Sequence, residues 1–115
     1  MVLCHGLSAT RRYVVHGSKV LPRNGFRLHV FDARGHGESE PATEYTYGTM
    51  ADDLGQVIDQ LGLELPIVLG GHSMGCHTAL TYALADPGRV AALILAGPAF
   101  TGEESDVDLD RWDRR

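Results

Sequence analysis

Pro66-Ile67-Val68-Leu69 runs into Gly71-His72-Ser73-Met74-Gly75, and a helical stretch from Cys76 to Leu84 follows at once. The order is a short apolar strand, a sharp turn and a helix, with a serine at the turn and a glycine two residues to either side. A turn that tight strains the backbone at its centre. A Cβ at either flanking position would collide with packed chain, so Gly71 and Gly75 read as steric requirements. A serine placed there holds its hydroxyl clear of the backbone. The plainer alternative makes Ser73 only a polar cap for the helix that follows.

Working outward, Val2-Leu3-Cys4 is a short apolar strand that stops at His5-Gly6. Arg11 to Leu21 reads as a helix with Tyr13, Val14, Val20 and Leu21 on its apolar side, weakened by Gly17 and closed by Pro22 and the Arg23-Asn24-Gly25 turn. Phe26 to Phe31 alternates as a strand that ends at Asp32, and Gly35 and Gly37 open a loop. Met50, Leu54, Val57, Ile58 and Leu61 fall at i, i+4, i+7, i+8 and i+11, an amphipathic helix ended by Gly62. Val90 to Ala96 is a last apolar strand.

Strands alternating with helices predict an α/β fold, a parallel sheet of about four strands with three to four helices on both faces. The strands read as apolar on both faces, as doubly covered strands do. Ligands of such sheets bind beyond the carboxyl ends of the strands, where His5, Asp32, Ser73 and Gly97 all fall. Residues 1–100 form the core in this reading. Residues 101–115, with six acidic and three basic residues, form an acidic segment that starts a cap region.

Composition narrows the function classes. The chain has 115 residues, enough for one domain that buries about two-thirds of its unfolded surface. Its net charge of −5 and lack of a basic cluster argue against nucleic acid or an anionic membrane as partner. No apolar stretch approaches a membrane span, and Met1 to Gly6 has no charged leader, so a cytoplasmic protein is expected. Cys4 and Cys76 are too few for a disulfide framework and read as small buried residues.

Three landmarks together resemble the α/β-hydrolase fold superfamily. His5-Gly6-Leu7 is similar to its HG-x oxyanion loop, and Asp32-Ala33-Arg34-Gly35-His36-Gly37-Glu38-Ser39 to its D-x-R-G-x-G-x-S segment. Gly71-His72-Ser73-Met74-Gly75 is similar to its nucleophile elbow. The similarity covers nearly all of Val2 to Phe100. It implies that the chain is an N-terminal core fragment, holding the third through sixth strands of a longer sheet.

The resemblance implies a serine hydrolase acting on an ester, lactone or similar small acyl substrate without a cofactor. Ser73 is then the nucleophile, and the backbone N–H groups of Leu7 and Met74 form the oxyanion hole. His5, Gly6, Gly71, His72 and Gly75 support those motifs, and Asp32 and Arg34 resemble a loop-fixing pair. The family's order is serine, acid, histidine. After Ser73 the one histidine is His77, a single helical turn along, which suits helix packing better than general base catalysis. Asp106, Asp108 and Asp110 stand where some branches of the family place the acid. The acid and histidine of the triad are thus read as lacking in this chain.

Other titratable residues have milder readings. His5 and His36 hold loops rather than a metal, because no acidic or cysteine partner has ligand spacing. Asp52 and Asp53 favour the dipole of the helix they open, and His16 and His29 have no evident role. Gly35-His36-Gly37-Glu38-Ser39-Glu40 lacks the third glycine of a dinucleotide fingerprint. The alternative from another class is a truncated, non-catalytic hydrolase-like domain or binding module that self-associates through unpaired sheet edges. A serine nucleophile argues against dehalogenases and epoxide hydrolases. It leaves esterase, lactonase, thioesterase, peptidase, C–C hydrolase and acyltransferase chemistry open.

Overall fold

The computed structural model of the chain describes residues 1–15 and 17–98. His16 and the acidic segment 101–115, with its candidate acids, lie outside the described residues. The strands are β1 (Val2–Cys4), β2 (His29–Val30), β3 (Ile67–His72) and β4 (Val90–Ala96). The helices are α1 (Val20–Arg23), α2 (Tyr47–Leu61) and α3 (Met74–Ala85), with 3-10 turns at Arg11–Tyr13 and Pro87–Arg89. All strand pairs are parallel, in the order β2-β1-β3-β4. This is the parallel α/β core that the alternation of elements predicts.

The register places Val2 opposite Leu69 and Leu69 opposite Leu93, so these side chains share a face. On it Val2, Cys4, Ile67 and Leu69 pack with Ala51, Leu54 and Ile58 of α2 and Ala79 and Tyr82 of α3. Right-handed crossovers put the segment between β1 and β2 on the opposite face, because that connection moves the other way across the sheet. Among the described residues, that segment carries only short helical pieces.

The predicted helix over Arg11 to Leu21 is absent. Gly17 takes φ 72°, in the left-handed region, and separates the Arg11–Tyr13 turn from α1. Pro22 does not close α1 but stands in its first turn, where a missing N–H breaks no helical bond. The predicted strand over Phe26 to Phe31 shrinks to His29 and Val30, which are all that β1 pairs with on that side.

Elsewhere the pattern holds and extends. α2 begins three residues before Met50, behind a capping box in which Thr46 Oγ1 accepts from Thr49 N–H at 3.0 Å and Thr49 Oγ1 accepts from Thr46 N–H at 3.1 Å. It ends at Gly62, at φ 60°. Asp52 and Asp53 therefore lie in its second turn and not at its opening, so they do not serve its N-terminal dipole. α3 starts at Met74, directly after Ser73. No helix among the described residues is long and apolar enough to cross a membrane.

The expectation of doubly covered strands fails at β4, where Leu93, Ile94 and Leu95 are 36%, 50% and 39% exposed. Among the described elements, only β3 and α3 make extended contact with β4, which leaves it as an edge.

Gly75 explains how α3 reaches the sheet. A Cβ there would overlap the carbonyl oxygens of Cys4 and His5, so the helix rests directly on the end of β1. Gly75→Ala is expected to destabilise the fold by about 3 kcal/mol through backbone overlap, measured as a shift in urea midpoint. Gly88→Ala, with nothing within 4 Å, serves as the control and is expected to leave the midpoint in place.

Candidate active site

The turn between β3 and α3 has the geometry its sequence requires. Ser73 sits at φ 50°, ψ −114°, a conformation that L residues rarely adopt and that costs on the order of 1–3 kcal/mol. The surrounding chain holds it there. A Cβ on Gly71 would overlap the carbonyl of Gly75, so the turn closes on itself only with glycine at that position. The N–H of Ser73 donates to the carbonyl of Ala96 at the end of β4, at 3.0 Å. The Ser73 side chain makes no capping hydrogen bond to the helix it precedes. The strained backbone is therefore not explained by capping.

The loop His5-Gly6-Leu7 lies against this turn. A Cβ built on Gly6 would come within 3.4 Å of Ser73 Cβ and 3.1 Å of His72 Nδ1, which puts backbone close to the serine with no side chain between. Among the described residues, no hydrogen bond occupies the N–H of Leu7 or of Met74. Leu7 follows Gly6 in the loop that approaches the serine, and Met74 follows the serine at the first position of α3. A helix N-terminus also carries partial positive charge.

His5 fixes that loop. Its Nε2 accepts from the N–H of Ala33 at 2.9 Å, which makes Nδ1 the protonated nitrogen that donates to Gly6 O at 2.7 Å. Burial pushes the His5 pKa below its ordinary value, in keeping with a neutral ring. His36 Nδ1 bonds the Arg34 carbonyl at 2.9 Å, and its ring lies 5.1 Å from that of His5. Both histidines hold loops, as their sequence context predicts.

Asp32 and Arg34 do not pair with each other. Asp32 is buried and accepts from the backbone N–H of Arg11 at 2.8 Å and of Glu38 at 3.0 Å, while also pairing with the Arg11 guanidinium. Arg11 continues to Glu38 at 2.9 Å. Burial raises the Asp32 pKa, but the two N–H donors and the guanidinium outweigh it and hold the carboxyl below its ordinary range. Arg34 instead grips Asp53 of α2 through two bonds, at 2.6 and 2.8 Å. Sequence reading missed Arg11 altogether, because a partner 21 residues away leaves no local signal.

The ring of His77 stacks on Tyr47 with centroids 5.0 Å apart. The cysteines are both buried, and burial pushes the Cys4 thiol up to about 12, with Cys76 adding to the shift. Among the described residues no cluster of three or more His, Cys, Asp or Glu side chains could hold a metal ion.

Comparison with known proteins identifies the fold family. A family model described as alpha/beta hydrolase fold matches residues 1–115. The AB hydrolase superfamily protein YisY of Bacillus subtilis is 39% identical over 106 residues, 88% of this chain and 39% of that protein. The sn-1-specific diacylglycerol lipase ABHD11 of Mus musculus is 38% identical over 96 residues, 83% of this chain and 31% of that protein. Among solved structures, a thermophilic esterase from Thermogutta terrifontis aligns with a TM-score of 0.80 at 35% identity, covering 99% of this chain and 41% of the esterase. The chain thus spans well under half the length of each of these relatives.

The Asp32 site makes a pH prediction. A carboxyl whose pKa is depressed in the folded state stabilises it above the unfolded pKa and loses that contribution as pH falls. Asp32→Asn is expected to lower the melting temperature by several degrees at pH 7. The gap to the parent should close as pH falls below about 4. A gap of constant size from pH 7 to pH 3 would show that charge on Asp32 does not contribute.

Proposed function

This chain belongs to the α/β-hydrolase fold family, and from that premise we propose that it supplies the nucleophile and oxyanion hole of a serine hydrolase. The substrate class is an ester, lactone or related small acyl compound. The observation that carries the reading is Ser73 itself, held at φ 50° between two sterically required glycines with its side chain unused as a cap. The lipase and esterase names of similar proteins support a carboxylic ester substrate.

In this reading Ser73 Oγ attacks the acyl carbon while a base takes its proton. The carbonyl oxygen becomes an oxyanion that accepts from the N–H groups of Leu7 and Met74, both fixed before substrate arrives. His5, Gly6, Gly71, His72 and Gly75 shape the two backbones that carry those donors. Among the described histidines His5 is bonded through both nitrogens, His36 bonds the Arg34 carbonyl, His77 stacks on Tyr47, His29 lies on β2, and His72 directly precedes the serine with its side chain exposed. We therefore assign the base, and the acid that orients it, to parts of the protein beyond these residues.

In the full-length protein, Ser73→Ala is expected to lower kcat/KM for p-nitrophenyl butyrate by about 10⁴ to 10⁶. The isolated 115-residue chain is expected to turn over the same ester slower by a similar factor, for lack of the base. An isolated chain with near-parental turnover that Ser73→Ala abolishes would overturn the assignment of the base.

A second, non-catalytic reading draws on the exposed Leu93, Ile94 and Leu95 of β4, an unpaired apolar edge of the kind that recruits another chain. It predicts that the isolated chain forms dimers or larger species whose mass by light scattering rises with concentration. A monomer at all concentrations would remove that reading.

A further inference from the structure

Cys76 has an environment that packing alone does not require. It is 1% exposed in the first turn of α3, and its thiol faces two backbone carbonyls, Gly71 O at 3.1 Å and Ala96 O at 3.3 Å. For a donor as large as sulfur these are close approaches. The two acceptors bracket the strained turn. Gly71 stands two residues before Ser73 on β3, and Ala96 ends the neighbouring strand β4. Ala96 O is also the acceptor of the Ser73 N–H, at 3.0 Å. One carbonyl therefore receives both the backbone of the serine and the thiol of the residue three positions later. Burial keeps the thiol protonated, and so a donor, at neutral pH.

We propose that Cys76 is a positioning residue for Ser73, its single thiol proton shared between the Gly71 and Ala96 carbonyls and so holding the first turn of α3 to the ends of β3 and β4. The inference rests on Ser73 being the nucleophile, as argued above. A serine at φ 50° persists only while its neighbours over-determine it. Gly71 and Gly75 allow the close approach by having no side chain, but they supply no attraction. The Ser73 N–H to Ala96 O bond supplies part of it, and the thiol adds a second attraction from the helix side. Loss of the clamp relaxes the turn by a fraction of an ångström, which matters because reactivity depends steeply on the placement of the attacking atom. Substrate binding, governed elsewhere, is not expected to change.

The test uses the full-length enzyme with p-nitrophenyl butyrate and three variants, each with its melting temperature recorded. Cys76→Ala fits the space and is expected to lower kcat about fivefold to tenfold at unchanged KM, on the scale of losing one buried hydrogen bond in the transition state. Cys76→Ser restores a donor toward the same carbonyls and is expected to recover at least half of the lost kcat. Wild-type kcat in Cys76→Ala overturns the proposal. Loss in Cys76→Ser as deep as in Cys76→Ala also overturns it, since space filling would then account for both. Ser73→Ala separates the premises. With Ser73→Ala inactive and Cys76→Ala fully active, only the clamp fails. With Ser73→Ala active, the nucleophile assignment falls and the clamp with it.

Discussion

The close approach of the α3 N-terminus to the end of β1 governs the rest of the structure. The site of a Cβ on Gly75 is filled by the Cys4 and His5 carbonyls, and that on Gly71 by the Gly75 carbonyl. Three pieces of backbone thus meet where one side chain would normally stand. The contact fixes the direction in which β3 turns into α3 and forces Ser73 to φ 50°. It also brings the loop after β1 beside the serine, because His5 is part of the surface on which Gly75 rests. A strained serine and a side-chain-free backbone next to it are two results of the same packing.

Polar contacts then secure what the packing brings together. His5 joins the loop after β1 to the segment after β2 through Gly6 O and the Ala33 N–H. Asp32 draws in the backbone of both Arg11 and Glu38, so its charge is spent on closing two loops onto one another. Arg34 ties the same segment to α2 through Asp53. Each of these groups has perturbed electrostatics or a buried position of the sort found in catalytic sites. Their partners show instead that they are structural supports around the serine.

What was legible in the sequence follows from the range of each signal. The elbow, the amphipathic stripe of α2 and its Gly62 stop depend on residues within one or two turns of each other, and all three stand where the sequence puts them. The Arg11–Asp32 pair spans 21 residues and could only be found in the fold. The segment after Arg11 was misread because Tyr13, Val14, Val20 and Leu21 have roughly helical spacing while Gly17 breaks the backbone between them. The exposed face of β4 was invisible for a different reason. Leu93, Ile94 and Leu95 are apolar as a covered strand is, and a sequence pattern reports the burial a strand is suited to rather than the neighbours present.

The same distinction separates the geometry of the site from its reactivity. The contacts described at the turn come from β1 and the loop after it, and from β3, β4 and α3. Placement of the serine is therefore set locally, by elements adjacent in one sheet and the loop after β1. Proton transfer has no such local source, since each described ring other than those of the exposed His72 and the distant His29 is committed to a neighbour. In the proposed reading, a site organised this way would hold an oxyanion without generating one. Strain at Ser73 alone does not make its hydroxyl a strong nucleophile, because a serine attacks at neutral pH only as its proton leaves. On the proposed reading, the fold of these residues accounts for where the serine is placed, and the rate would depend on a base brought to it by other parts of the protein.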